Sequence, residues 1–163
     1  DAMAICRTVD MQFFDTAPKV FTNELELNVS AETVFASFQR ADDWPLWVDS
    51  IAGVEWTTPA PFGIGTTRRV TFTNDKFADE LFIAWQENKQ MAFCFTETDQ
   101  PGTNAFAEDY QLTELPNGRC KLVWRVAFDP AGISKLVFLL FGFAVNKVFK
   151  TALAEFKVFI EQQ

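Results

Sequence analysis

The chain has 163 residues, 48% hydrophobic and 22% charged, the balance of one globular domain, which excludes a disordered or collagen-like chain. Fourteen basic against 22 acidic residues give a net charge of −8 with no basic block, excluding the phosphate-neutralising surface of a nucleic-acid binder. The absence of His excludes the usual base near neutral pH, the Ser-His and Cys-His pairs and nearly every catalytic zinc site, so any chemistry rests on carboxylates, Tyr, Lys, Arg or Cys.

Residues 1–19 lack a basic region followed by an apolar one, so they read as an N-terminal arm rather than a signal peptide, with the domain proper over 20–163. From Val20, the apolar Phe21, Leu25, Leu27 and Val29 alternate with Glu24, Glu26 and Asn28, the period of a half-buried strand. Ser30 is a good N-cap for a short helix carrying Val34, Phe35 and Phe38 and ending near Gln39. Asp42-Asp43-Trp44-Pro45 begins a second short helix or turn, with an Asp cap before Pro45 and with Trp44 and Trp47 folding inward.

Strand patterns then recur at 54–57, 66–73, 77–86, 90–96, 104–115 and 119–128, separated by Gly, Pro and Asn turn signals, which predicts an antiparallel meander. Gly63-Ile64-Gly65 precedes a strand and lacks a following Lys-Ser/Thr, so it is turn chemistry and not a phosphate loop. After Asp129-Pro130 the period changes to that of one long helix over 134–161, with Phe138, Phe141, Val145, Phe149, Ala152, Phe156 and Phe159 along the face expected to lie on the sheet. The predicted fold is α+β: a seven-stranded curved antiparallel sheet wrapped around a long C-terminal helix, with two short helices after the first strand.

Cys6, Cys94 and Cys120 are odd in number and unrelated in spacing, which points to free thiols and a cytoplasmic chain. The longest uncharged apolar run, 136–145, is shorter than the roughly 18 residues a membrane span needs, so no stable membrane insertion is expected. Twenty-five aromatic rings, 19 of them Phe, are more than a close-packed core of this size readily hides, which brings lipophilic ligands into view.

Four segments carry a resemblance to a known superfamily: Val-Ser-Ala-Glu-Thr-Val-Phe at 29–35, Asp-Asp-Trp-Pro-Leu-Trp at 42–47, Gly-Ile-Gly-Thr-Thr-Arg-Arg at 63–69, and Gly-Arg-Cys-Lys-Leu-Val-Trp-Arg-Val-Ala-Phe-Asp-Pro at 118–130. Over about 21–161 the chain resembles the START-like or SRPBCC proteins of helix-grip fold, and within them the bacterial polyketide cyclase/dehydrase and lipid-transport branch. The resemblance implies a cavity between the concave sheet face and the last helix. It implies little about function, because that branch hosts carriers, sensors and cyclases on one scaffold.

Alternation along the strands assigns the walls of such a cavity. Leu122, Trp124, Val126 and Phe128 face in with Lys121 and Arg125 outside, and Phe106, Glu108, Tyr110 and Leu112 share one face of the preceding strand. Glu108 is thus a carboxylate on an apolar face, unless a bulge turns it to solvent. Arg68, on a face with Val70 and Phe72, is a candidate cation. The turn at Asn74-Asp75-Lys76 accommodates two, three or four loop residues, and that choice decides whether Asp79 or Glu80 points in, so both readings stand.

The candidate catalytic group is therefore Glu108, Tyr110, Arg68 and Glu80. The candidate ligand-binding wall is Trp47, Trp56, Phe93, Phe95, Phe106, Trp124, Phe128, Phe138, Phe141 and Val145. No metal or cofactor set is present in the sequence pattern. The expected activity is binding of a hydrophobic or aromatic small molecule, with a cyclase, aromatase or dehydratase using the pocket carboxylates and Tyr110 as one alternative. The second alternative is a protein or membrane interaction module acting through the start of the last helix, where Leu136, Leu139, Leu140 and Phe143 form a further apolar stripe. Packing of the arm through Phe13 and Phe14, a homodimer contact, a pocket-entrance flap and a transient membrane contact are all open explanations for what covers that stripe.

Overall fold

A computed structural model describes residues 4–163, so the first three residues of the predicted arm lie outside it. The elements in chain order are β1 (Ala4–Ile5), α1 (Phe13–Thr16), β2 (Lys19–Leu27), α2 (Ala31–Gln39), a 3-10 turn (Ala41–Leu46), β3 (Ile51–Trp56), β4 (Thr67–Phe72), β5 (Phe77–Gln86), β6 (Gln90–Thr98), β7 (Thr103–Leu115), β8 (Arg119–Pro130) and α3 (Ile133–Glu161). Seven strands form one antiparallel sheet in the order β2-β8-β7-β6-β5-β4-β3, and β1 adds to β6. This is the predicted helix-grip arrangement, with the first strand placed beside the last and the meander completing the sheet.

Local chemistry sets the element ends. The Ser30 hydroxyl accepts from the Thr33 N–H at 3.1 Å, and the Glu114 carboxylate of β7 accepts from the Ala31 N–H at 3.1 Å, so a side chain from the sheet satisfies a second donor at the start of α2. In the 3-10 turn Pro45 stands near the end, not at an early position after an Asp cap, because Arg40 precedes the turn and Asp43 is drawn back to Ser37 and Arg40. Trp44 and Trp47 are buried, as their spacing predicts.

The β4–β5 turn has three residues: the Phe72 N–H donates to the Lys76 carbonyl, and Asp75 adopts the left-handed conformation at φ 65°. Arg68 therefore pairs with Glu80 and Arg69 with Asp79 across the two strands. Glu80 shares the cavity face with Arg68, while Asp79 meets Arg69 on the other side through two hydrogen bonds of 2.7 and 2.9 Å.

The described part of the arm does not cover the last helix. Phe13 and Phe14 pack on the opposite sheet face against Ala92, Cys94, Ala105, Ala107 and Ala127, where small side chains leave room for two rings. There Arg125 makes two hydrogen bonds to the fully buried Asp109 and lies 4.7 Å from the centre of the Phe14 ring. The three cysteines are free and buried.

α3 carries a break at Phe141, whose φ and ψ of −127° and 22° depart from the helical values. Beyond it Leu153, Phe156 and Ile160 enter the core, and the Asn23 amide donates to Asn146 at 2.8 Å, tying the helix to β2. Before it the helix is anchored at its start, where the Ala131 N–H donates to the Gly102 carbonyl and Ser134 closes against Gly102, which at φ 80° has no Cβ to obstruct it. Between these anchors Leu136, Leu139, Leu140 and Phe143 are 53–78% exposed. By length and composition alone α3 suffices to cross a membrane, with a mean hydropathy of 1.7 over its most apolar 18 residues.

Candidate functional site

The concave face of the sheet and α3 enclose a cavity of about 290 Å³. Its floor is set by the inward positions of the strands: Arg68, Val70 and Phe72 from β4, Glu80 from β5, Phe93 and Phe95 from β6, Phe106, Glu108 and Tyr110 from β7, and Trp124 and Phe128 from β8. Val148, Phe149 and Ala152 of α3 close it above, with Trp44, Trp47, Val48, Ser50 and Ile51 at one side. A groove between α3 and residues 47–50 adjoins the cavity and shares Trp47, Val48, Ser50, Val148 and Ala152 with it.

Rings make about half of the wall. Phe95 and Phe106 lie 4.4 Å apart by centroid, Phe106 meets Phe128 edge-on at 5.7 Å, and Tyr110 stacks on Trp124 at 5.7 Å. Trp124 in turn meets Phe149 edge-on at 5.4 Å.

The polar groups converge on this apolar space. Arg68 donates from Nε to Glu80 Oε1 at 2.6 Å, with the two side chains only 1% and 4% exposed. Its guanidinium carbon sits 4.5 Å from the Trp44 ring centre, 4.9 Å from Phe93, 5.1 Å from Phe82 and 5.3 Å from Trp56, an aromatic cage that attracts the charge. Burial pushes the Glu80 carboxyl up and outweighs the opposing pull of Arg68.

Glu108 faces the cavity. Its Oε1 accepts from the Tyr110 hydroxyl at 2.8 Å and from the Trp124 indole N–H at 2.9 Å. Burial, reinforced by the charge of Glu80, raises its pKa to about 7 against the pull of these donors and of Arg68. Burial and the neighbouring Glu108 carboxylate hold the Tyr110 hydroxyl well above its ordinary range, so it stays a donor at neutral pH. The arrangement can hold one proton on a carboxyl near neutrality inside an aromatic pocket, beside a fixed positive charge. Among the described residues no group of three His, Cys, Asp or Glu has the geometry to hold a metal ion.

The four candidate catalytic residues Glu108, Tyr110, Arg68 and Glu80 thus come together, as do Trp47, Phe93, Phe95, Phe106, Trp124 and Phe128. The remaining four wall candidates stand elsewhere. Trp56 stacks on Phe62 at 4.1 Å and donates to the Gln39 carbonyl, behind Arg68. Phe138 packs behind Phe128 at 4.7 Å and against Phe21 at 6.1 Å. Phe141 is 52% exposed at the helix break, and Val145 is half-buried outside the lining. The helix departs from regular geometry at Phe141, and the turn that reaches the cavity is Val148–Ala152, whose Phe149 and Ala152 keep to the predicted stripe. Val148, Trp44 and Val48 complete the wall; the inward-folding tryptophan pair is the sequence signal for Trp44, whereas nothing in a stripe of Phe at regular spacing announces a helix break.

Residues 19–161 match the family described as "Polyketide cyclase / dehydrase and lipid transport". A protein of Mycobacterium tuberculosis of uncharacterised function is 38% identical over 141 residues, covering 86% of this chain and 84% of its own. In fold, the chain is similar to a START superfamily protein from Mycobacterium smegmatis, with a TM-score of 0.65 at 15% identity over 88% of this chain and 94% of that one. It is also similar to the di-domain aromatase/cyclase BexL of the BE-7585A biosynthetic pathway, with a TM-score of 0.71 at 14% identity over 88% of this chain and 46% of that one.

Proposed function

We propose, for a chain that belongs to the polyketide cyclase / dehydrase and lipid transport family, that it holds one hydrophobic or aromatic small molecule, lipid- or polyketide-like, in the cavity beneath α3. The observation that carries this reading is the ring-lined space of about 290 Å³ beneath α3, adjoined by a groove at Val48 and Val148. Native mass spectrometry of the purified chain, alone and after incubation with 2-acetylnaphthalene, tests it. One lipophile per folded chain is expected, and a folded chain that carries none in either sample contradicts it.

A second reading is an enzyme of the cyclase, aromatase or dehydratase type. The specific observation in its favour is Glu108, able to carry a proton near neutrality and oriented by Tyr110 and Trp124. Under this reading Glu108 exchanges protons with a polyketide-like substrate, Tyr110 donates a hydrogen bond and the Arg68–Glu80 pair fixes the local field. Glu108→Gln would then abolish turnover while leaving binding intact.

The exposed stripe Leu136, Leu139, Leu140 and Phe143 is read as the contact with a second copy, which offers the same stripe across a two-fold axis. The buried free cysteines accord with a reducing, cytoplasmic setting as part of the same proposal.

A further inference from the structure

Arg68 lines the cavity with Nε engaged by Glu80, and its Nη1 is buried with no hydrogen-bond partner among the described residues. The four rings around the guanidinium attract its charge but do not replace an oxygen acceptor, so a donor of a charged group is left unmet inside the wall. Glu108 offers the complementary half. Its Oε1 is taken by Tyr110 and Trp124, while Oε2 accepts no hydrogen bond among the described residues.

The charged and titratable groups facing Glu108 are Arg68 from β4, Glu80 from β5 and Tyr110 from its own strand; the indole of Trp124 comes from β8. The α3 residues on the cavity, Val148, Phe149 and Ala152, bring no charge, and neither do Trp44, Trp47 and Val48 beside it.

Resting on the cavity reading above, we propose that the occupant is a compact lipophilic carboxylic acid, one carboxylate oxygen accepting from Arg68 Nη1 and the other from a protonated Glu108. Glu108 takes that proton from solvent, so binding is coupled to the uptake of one proton and makes no bond other than Glu108 O–H. The charge balance favours this exchange. Arg68, Glu80 and an ionised Glu108 sum to −1, and the sum is again −1 when Glu108 is neutral and the ligand brings the carboxylate. A neutral lipophile with a single carbonyl meets at most one of the two donors and brings no charge to Arg68, and a phosphate, with its second charge, would exceed that balance. The Glu108 pKa of about 7 makes the proton available at little cost near neutral pH.

Isothermal titration of the intact chain with 2-naphthoic acid, ionised throughout, and with neutral 2-acetylnaphthalene, at pH 6 and 8 in two buffers of different ionisation enthalpy, tests the proposal. The acid is expected to bind about tenfold more tightly at pH 6, following the protonated fraction of a group titrating near 7, with proton uptake near zero at pH 6 and approaching one per chain at pH 8, while the ketone shows neither effect. Glu108→Gln is expected to retain acid binding and flatten its pH profile. Arg68→Met combined with Glu80→Gln removes the pair without leaving a lone buried charge and is expected to lose the preference for the acid while keeping the ketone. If that double variant does not fold, Arg68→Lys, which keeps the charge and lacks Nη1, is expected to show the same loss. Equal, pH-independent binding of acid and ketone overturns the proposal and leaves the cavity reading standing. A folded chain that binds neither overturns both.

Discussion

Glu108 gives the cavity a measurable titration. Its folded pKa of about 7 lies above the ordinary 4.5, so between these values the folded state keeps a proton that the unfolded chain has released. Stability gained from this group is therefore fully present at low pH and falls as pH rises from about 4.5 to 7. Glu80, also raised by burial, adds a slope of the same sign. Thermal melts across pH 5 to 8 are expected to show a shallower decline in Glu108→Gln than in the wild type, and identical curves would place Glu108 in solvent. The neighbouring Trp124 stacks on Tyr110 and borders the cavity, so Trp124→Ala is expected to weaken binding of a fluorescent lipophile by about 1–3 kcal/mol with folding retained. Trp85→Ala is the control, because Trp85 packs against Phe35 and Phe82 outside the lining and should leave affinity unchanged. Period-two alternation puts Glu108 on one face with Tyr110, and Trp124 on the inner face of the next strand, but leaves open a bulge that would turn Glu108 to solvent; the regular pairing of Glu108 with Val126 and of Tyr110 with Trp124 removes it. Alternation was not enough for Glu80, whose direction depends on a turn that Asn74 and Asp75 suit at several lengths; the left-handed Asp75 selects three residues and points Glu80 inward.

At the scale of elements, the two pieces that sequence periodicity handled least well are those held by distant contacts. α1 is one turn long and gains its stability from the alanine-lined outer face of the sheet, a surface assembled from β6, β7 and β8. Phe14→Ala is expected to cost about 3–5 kcal/mol in chemical denaturation and to leave lipophile affinity unchanged, since the ring lies on the face away from the cavity. A loss of affinity at preserved stability would contradict that separation. For α3, the Phe stripe over 149–159 packs as its spacing predicts, while the break at Phe141 and the unburied turns before it depend on anchors at Gly102 and Asn23 that no local pattern announces. An exposed apolar surface of this extent seldom stays unpaired. Sedimentation velocity is expected to show a dimer that Leu139→Asp with Phe143→Asp converts to monomer, and a wild-type monomer at tens of micromolar would contradict it.

At the scale of the molecule, the order of periods along the chain was sufficient for the fold: two-residue alternation in seven runs, helical spacing at 31–39 and after 133, and turn residues between. An antiparallel sheet of that order curves around one long helix, and ring-rich inner faces leave a ligand-sized space where the two do not close. The dimensions of that space lie beyond what the sequence conveys, because they follow from rotamers and from the phase of α3 and not from which residues face inward. Under the proposed function this space receives a ligand. The five tryptophans report on it directly, since Trp44, Trp47 and Trp124 line it and Trp85 does not. In nitrogen-15 correlation spectra of the folded chain titrated with 2-acetylnaphthalene, the indole signals of Trp124, Trp47 and Trp44 are predicted to shift together and saturate at one ligand per chain while that of Trp85 stays fixed; a titration that moves none of the three, or moves Trp85 with them without saturating, would contradict the account.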